Sequence, residues 1–228
     1  MKTITLVFII MLSALPLRAE ATGWNYILWG GGLNFPGEEI EAPRAYGTFR
    51  TKTDAGLCLR GGVGYLLQDH LTLEGEVGYR SNKIEDAEIL VRSGIVGAKV
   101  TGGHGTLTSW SLLINAWYDF PLGKRSAIHL GGGVGAHQVS LKDFALVISP
   151  VIPDPTSWDL DYADDKSLET AFQMGLGVTH DVSQALSLGL GYHYFVSSSA
   201  EFHDIEGNRF DYQFKSGGFL LTLRYVMR

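Results

Sequence analysis

The sequence predicts an all-β protein, an eight-stranded antiparallel up-and-down transmembrane β-barrel. Eight segments alternate large apolar residues with small or polar ones, which is the period of a β-strand. Short connections alternate with long ones between these segments, as in a barrel whose short turns face the periplasm. The first 21 residues have the form of a secretory signal, so the strands belong to an exported chain.

The N-terminal stretch MKTITLVFIIMLSALPLRAEA combines Lys2, an apolar run over 4–12 and the small-residue site Ala19-Glu20-Ala21. These are the parts of a cleavable secretory signal peptide. The alternative, a membrane anchor, needs about 20 apolar residues. No cysteine follows the run, so lipoprotein processing is not indicated. We therefore expect residues 1–21 to be removed and residues 22–228 to form one barrel domain.

Composition excludes several classes of protein. The formal net charge of -6 argues against a nucleic-acid partner. The single cysteine, Cys58, cannot form an internal disulfide. Phosphate-loop, zinc-finger and dinucleotide-binding motifs are absent, so no cofactor is expected. The best apolar run after the signal, FALVISPVIP, is short and contains two prolines, so any membrane must be crossed by strands.

The eight predicted strands follow one another along the mature chain. They cover about residues 23–34, 55–67, 71–80, 106–120, 126–141, 170–180, 185–197 and 216–227. In the seventh, ALSLGLGYHYF, leucines and tyrosines occupy one face, and serine, glycines and histidine occupy the other. The first is the least regular, because Trp24, Tyr26 and Leu28 compete with Ile27 and Trp29 for one face.

The connections between these strands predict the orientation of the barrel. The short ones lie at 68–70, 121–125 and 181–184, and the long ones at about 35–54, 81–105, 142–169 and 198–215. In outer-membrane barrels the short turns face the periplasm and the long loops face the outside. We therefore expect the four long segments to be exposed loops on the cell surface.

The apolar face of each strand is predicted to meet acyl chains, because only a closed sheet pairs all its backbone groups in lipid. The alternative is a soluble, lipocalin-like barrel with the apolar face inside. Glycine on the polar face argues against it, since glycine is a poor choice for an exposed strand surface. The small inward residues that leave room for larger polar ones are Gly62, Gly64, Gly133, Gly177 and Gly189.

Four charged residues fall on the predicted inward face: Arg60, Glu74, Glu76 and Arg224. Charges inside a membrane protein are tolerated when they face the interior and pair. A narrow eight-stranded barrel is largely filled by its own side chains. We therefore expect an ion-pair network that plugs the lumen, and the alternative is a small passive pore lined by the same charges.

Three segments resemble the opacity-type, porin-family surface antigens of Gram-negative bacteria. They are SWSLLINAWYDFPLGKRSAIHLGGGVGAHQVSL, the hairpin GVGY...LTLEGEVGYR, and GYHYF...FDYQFKSGGFLLTLRYVMR. The resemblance implies a bacterial outer-membrane barrel that acts as a surface antigen or envelope protein and is not an enzyme. The partners it implies are outer-membrane lipids, lipopolysaccharide, the outer-membrane assembly machinery and host surface molecules bound by the exposed loops.

The C-terminus resembles the outer-membrane assembly signal, in which alternate apolar residues lead to a tyrosine and a terminal aromatic. Leu221, Leu223 and Tyr225 fit this pattern. Met227 stands where the aromatic residue is expected, and Arg228 follows it. We expect the departure to affect the efficiency of assembly more than assembly itself.

A lipid-modifying enzyme is the third functional class to consider. His193 precedes Ser197–Ser199, with His203 and Glu206 in the next connection. A nucleophile and its base must lie within hydrogen-bond reach, with a third group orienting the base. Lipid A deacylase barrels are similar in class but have an H-x-S-N pattern, whereas YFV follows His193 here. We expect no catalytic site.

One long connection is rich in acidic residues, and no metal site is expected in it. Its aspartates are Asp154, Asp159, Asp161, Asp164 and Asp165. Calcium takes several oxygen ligands of this type. The glycine and terminal glutamate of an EF-hand loop are not at the required spacing, however, so we expect a solvated acidic loop.

Overall fold

The structure is a computed structural model. It describes residues 26–37, 40–44, 47–68, 70–92, 98–150, 158–161, 165–203 and 209–227. The strands are β1 (Tyr26–Pro36), β2 (Ile40–Arg44), β3 (Gly47–Thr53), β4 (Gly56–Gln68), β5 (Leu71–Arg92), β6 (Ala98–Pro121), β7 (Ser126–Pro150), β8 (Trp158–Asp161), β9 (Asp165–Asp181), β10 (Leu186–His203) and β11 (Arg209–Val226). The described part of the chain contains no helix of a length and hydropathy that would cross a bilayer. The predicted signal peptide lies outside the described residues.

Eight of these strands form a closed antiparallel ring. Its order is β1, β4, β5, β6, β7, β9, β10 and β11. The ring closes through β1, where Tyr26 lies opposite Gly64 of β4 and opposite Val226 of β11. The predicted eight-stranded antiparallel barrel is therefore confirmed. The irregular first strand points Tyr26 and Leu28 inward, since the Tyr26 hydroxyl bonds to Glu74 and Leu28 lines a small cavity with Arg60 and His193.

Three additional short strands extend the sheet on the side of the long connections. β2 and β3 form a hairpin, and β3 pairs with the C-terminal part of β5. β8 pairs with the C-terminal part of β7. On the opposite side, short turns join β4 to β5, β6 to β7 and β9 to β10. Gly123 has a φ of 81° in the β6–β7 turn, a conformation that glycine adopts without strain.

The strands are much longer than predicted, which corrects the description of the long segments as loops. β5 continues to Arg92, β6 begins at Ala98 and β7 continues to Pro150. The same extension is present in the β10–β11 hairpin, which runs to His203 and resumes at Arg209. The prediction failed because the inward face of several strands changes from polar to apolar along their length.

Near the short turns, the outer surface is apolar and the inner surface is polar. Leu188 and Leu190 of β10 are 50% and 56% exposed, whereas Ser187 and His193 of the same strand are buried. We call this region the apolar band. Its outward side chains include Leu112, Ile114, Leu130, Met174, Leu176, Phe219, Leu221 and Leu223. Aromatic residues border it, with Tyr118 and Phe120 on the turn side and Trp110 beside Tyr79 on the other.

Beyond Tyr79 and Trp110 the pattern is reversed, and we call this region the distal section. Lys83, Gln138 and Asp211 point outward and are exposed. The inward positions become apolar and buried: Ile84, Leu107, Val139, Leu141, Phe202 and Phe214. Along β5, β6, β7, β10 and β11, the interior is thus mainly polar near the short turns and mainly apolar at the other end. The distal section has the pattern of a protein surrounded by water.

Candidate functional site

The interior of the apolar band holds two layers of charged residues, and Glu76 on β5 is the centre of the first. Arg60 Nη1 on β4 donates to Glu76 Oε2 at 3.1 Å, and both side chains are almost fully buried. The side-chain amides of Asn115 on β6 and Gln173 on β9 donate to the same oxygen, each at 3.0 Å. Arg60 also lies 3.5 Å from Nδ1 of His193 on β10. Glu76 therefore links its own strand to β4, β6 and β9.

Glu74 occupies the next inward position on β5 and receives neutral donors. The Tyr26 hydroxyl donates to its Oε2 at 2.8 Å. The Trp117 indole N–H donates to its Oε1 at 3.2 Å, and the Asn115 amide is 3.4 Å from the same atom. Asn115 thus connects the two glutamates. We call Glu74, Glu76 and these partners the glutamate layer.

A second layer lies closer to the short turns and is centred on Asp119 of β6. Arg224 of β11 donates from Nη1 to Asp119 Oδ2 at 3.3 Å, and Nδ1 of His129 on β7 contacts Oδ1 of the same carboxylate. The Arg224 guanidinium also lies 4.4 Å from the centre of the Tyr26 ring. Trp117 stacks on His129 with ring centres 4.4 Å apart, which joins this aspartate layer to the glutamate layer.

The four predicted lumen charges all point inward, but the structure does not bring all of them together. Arg60 and Glu76 form a direct ion pair. Arg224 pairs instead with Asp119 of β6, which was not among the four predicted lumen charges. Together the two layers include side chains from all eight strands of the ring.

Little space remains among these side chains. A cavity of about 20 Å³ lies between Arg60, Arg224, His129 and His193, which is room for about one water molecule. Gly64 is required opposite Tyr26, because a Cβ at this position would overlap the Tyr26 ring.

A third layer, made mainly of aromatic side chains, lies on the distal side of the glutamate layer and fills the lumen there. The Arg80 guanidinium lies 3.9 Å from the centre of the Phe195 ring, and its Nη1 donates to the Ser111 hydroxyl at 3.2 Å. His137 is fully buried, with ring centres 5.0 Å from Phe195 and 5.2 Å from Phe214. Neither ring nitrogen of His137 has a hydrogen-bond partner within the described part of the chain.

Sequence reasoning missed the neutral members of these layers. Asn115, Gln173 and Trp117 lie on inward faces, but nothing in their own strands shows which charge they contact. A usable signal was present: each is a large polar or amphipathic residue on a face otherwise rich in serine and glycine. Such a residue inside a narrow barrel must reach a partner, because an unpaired buried polar group is destabilising.

Of the residues considered for catalysis, the structure describes His193, Ser197–Ser199 and His203, and it gives His193 and the serines different partners. His193 contacts Arg60 and lies 5.5 Å from the Trp117 ring centre. The Ser197 hydroxyl donates to the Ser198 carbonyl oxygen, and the Ser198 hydroxyl donates to Glu169 at 2.5 Å. Glu206 lies outside the described residues. No hydrogen bond joins His193 to either serine, so these groups do not provide a nucleophile and its base.

No group of three or more histidine, cysteine, aspartate or glutamate residues within the described segments is arranged to hold a metal ion. The side chains of the acidic connection, with Asp159 and Asp161 among them, lie outside the described residues.

At the C-terminus, Leu221, Leu223 and Tyr225 point outward from β11, and Met227 follows the last strand residue.

A closed ring with an apolar exterior and a charged interior defines a transmembrane β-barrel, because lipid excludes both open edges and unpaired charges. Residues 4–225 match the family described as outer membrane protein beta-barrel domain, and the chain belongs to this family. The protein is therefore a barrel of the bacterial outer membrane. None of the curated proteins matches the sequence.

Solved structures of outer-membrane proteins are similar in fold. Neisserial surface protein A, from Neisseria, is 15% identical over 90% of this chain and 98% of its own, with a TM-score of 0.49. OprG from Pseudomonas aeruginosa is 13% identical over 90% and 97%, with a TM-score of 0.49. Ail, the attachment invasion locus protein of Yersinia pestis, solved with the heparin analogue sucrose octasulfate, is 10% identical over 89% and 99%, with a TM-score of 0.42.

Proposed function

We propose that this chain is a non-enzymatic surface protein with a closed lumen, whose distal section binds molecules outside the cell, including those of host surfaces. In this proposal the short turns face the periplasm and the distal section faces outward. The observation that carries the proposal is the distal section itself, because transport across the membrane does not require it.

The length and filling of the strands support a binding role. β6 has 24 residues, whereas about 10 tilted residues cross the hydrocarbon core. At ~3.3 Å per residue and a tilt of ~40°, the remainder projects roughly 35 Å beyond the membrane. Because its interior is packed with residues such as Leu107, Val139 and Phe214, this projection is a stiff platform. A rigid scaffold of this kind positions loop residues for recognition.

The filled interior supports a closed barrel over the pore alternative. An ion would have to pass the aspartate layer, the glutamate layer and the aromatic layer in turn. The buried side chains Trp117, Phe195 and Asn115 lie across this route.

The non-enzymatic part of the proposal is supported by the different hydrogen-bond partners of His193, Ser197 and Ser198. We also propose that Leu221, Leu223, Tyr225 and Met227 form the assembly signal.

Two measurements test this proposal, one on the refolded mature barrel and one on cells that display it. In planar bilayers we expect no stepwise conductance, with a purified porin as the positive control. Cells that display the barrel should adhere to host cells, and a variant in which Ile84 is joined directly to Gly105 should lose this adhesion. These residues are register partners on β5 and β6, so the join shortens one hairpin and leaves the apolar band unchanged. Regular conductance steps, or unchanged adhesion of the shortened variant, would contradict the proposal.

A further inference from the structure

The small cavity in the lumen lies where the aspartate layer meets the glutamate layer. Its volume is about 20 Å³, and the polar side chains that line it are Arg60, Arg224, His129, His193, Thr179 and Thr222. Its other lining residues are apolar or glycine. No aspartate or glutamate of the described segments lines it. The cavity is therefore surrounded by guanidinium, imidazole and hydroxyl groups and by no carboxylate.

Hydrogen-bond donors without acceptors belong to this cavity. Nε of Arg60 and Nε of Arg224 are both buried, and neither has an acceptor within the described part of the chain. Nδ1 of His193 lies 3.5 Å from Nη1 of Arg60. Since arginine offers donors and no acceptor, Nδ1 is the acceptor in this contact and Nε2 carries the proton. A Cβ on Gly191, which also lines the cavity, would lie 3.4 Å from that Nε2, so a third donor is present at the cavity wall.

Such a set of donors favours an anion over a water molecule. A buried N–H group without an acceptor is destabilising. A water molecule accepts from two donors, but its own hydrogens then need acceptors, whereas a chloride ion is only slightly larger and accepts from every side. Because Coulomb attraction falls with distance, the two guanidiniums that line the cavity outweigh the carboxylates of Glu76 and Asp119, which do not line it.

The net charge beside the cavity depends on His129. The formal charges buried in the three layers cancel, because three arginines face three carboxylates: Arg60, Arg80, Arg224, Glu74, Glu76 and Asp119. The charged or titratable groups around His129 are Asp119 on β6, Arg224 on β11, Arg60 on β4 and His193 on β10. A proton on His193 would meet the charge of Arg60, whereas His129 contacts the Asp119 carboxylate through Nδ1. A proton on His129 therefore supplies the positive charge that one anion balances, and makes its Nε2 a fourth donor.

We propose that this cavity binds one small monovalent anion of the halide type, such as chloride, together with a proton on His129. The anion accepts from Nε of Arg60, Nε of Arg224 and Nε2 of His193, and the two threonine hydroxyls complete its shell. It enters from the short-turn end, where the Arg224 and Asp119 side chains are 15% and 20% exposed. It links β4, β10 and β11 at this level and does not pass the glutamate layer.

Chloride-35 NMR on the refolded mature barrel in a non-ionic detergent tests this proposal. Exchange with a bound ion broadens the chloride line, and we expect the broadening to be reversed by bromide but not by sulfate, which is too large for the cavity. T179V/T222V removes both lining hydroxyls at nearly constant shape and should weaken chloride binding about fivefold or more. T72V is the matched control, because Thr72 is buried in the lumen but does not line the cavity, and it should bind within about twofold of the parent.

The pH dependence of the same signal locates the proton. Since the anion and the proton favour each other's binding, chloride should bind the parent more tightly at about pH 5 than at about pH 8, and H129Q should lose this dependence. The proposal is overturned if bromide does not reverse the broadening, if the two threonine variants bind alike, if the parent shows no pH dependence, or if H129Q retains it. The heat-modifiable band on unboiled gels verifies that each variant is folded, and the bromide and pH measurements on the parent need no variant.

Discussion

At the scale of single residues, the buried charges are stable only as members of a set. Glu76 Oε2 receives donors from Arg60, Asn115 and Gln173, so its charge is compensated and its lone pairs are used. An isolated carboxylate at this depth would be strongly destabilising. Removing one partner of such a pair leaves the other charge buried without compensation.

Replacing Glu76 by glutamine should destabilise the barrel by about 3–5 kcal/mol, since Arg60 would keep its charge without a counter-ion. The unfolding midpoint in urea, read from the folded band on unboiled gels, measures the effect. Glu201→Gln is the matched control, because Glu201 lies half-exposed on the outer face, and it should shift stability by less than about 0.5 kcal/mol. The double variant R60Q/E76Q should be more stable than the sum of the two single changes predicts. Additive effects would mean that the two charges do not interact.

Two glycines on neighbouring strands should differ in how well they tolerate replacement by alanine. A Cβ on Gly64 would overlap the Tyr26 ring, whereas a Cβ on Gly75 has Val63 as its nearest neighbour, at 4.0 Å. Gly64→Ala should therefore destabilise by about 1–3 kcal/mol through overpacking, and Gly75→Ala should be nearly neutral. The same urea titration tests both. Equal tolerance of the two changes would show that the lumen is not tightly packed at this level.

At the scale of elements, the period of two was enough to find the eight ring strands and their short turns. The extensions were missed because the inward residues change from Glu74 and Glu76 to Ile84 along β5, and from Asn115 to Leu107 along β6. The alternation continues, but its sign reverses at Trp110. A prediction that requires one apolar face therefore ends shortly beyond Trp110, at about residue 106 on this strand. The β2–β3 hairpin was missed for another reason, since short strands pair only in a tertiary context.

The proposed orientation can be tested by labelling cysteines on intact cells. In a Cys58→Ala background, Lys142→Cys should react with a membrane-impermeant maleimide, because it is exposed in the distal section. Lys124→Cys, in a short turn, should react only after the outer membrane is permeabilised. Labelling of Lys124→Cys alone on intact cells would mean that the distal section faces the periplasm.

At the scale of the whole molecule, the sequence placed the four charges but could not pair them. Contacts across the lumen depend on how far each strand is shifted along its neighbour when the ring closes. Arg224 illustrates this, because its partner Asp119 is 105 positions away in the chain and on a strand that is not adjacent in the ring. The reversal of polarity along the strands marks the membrane boundary.

Spin labels at two outward positions test whether this reversal is the membrane boundary. In the Cys58→Ala background, nitroxides are attached at Leu188→Cys in the apolar band and at Asp211→Cys in the distal section. Collisions with oxygen report lipid, and collisions with a water-soluble nickel complex report water. We expect the label at position 188 to be reached by oxygen and shielded from nickel, and the label at position 211 to show the reverse. A folded barrel whose position 188 is freely reached by nickel, or whose position 211 is shielded from it, would contradict the account.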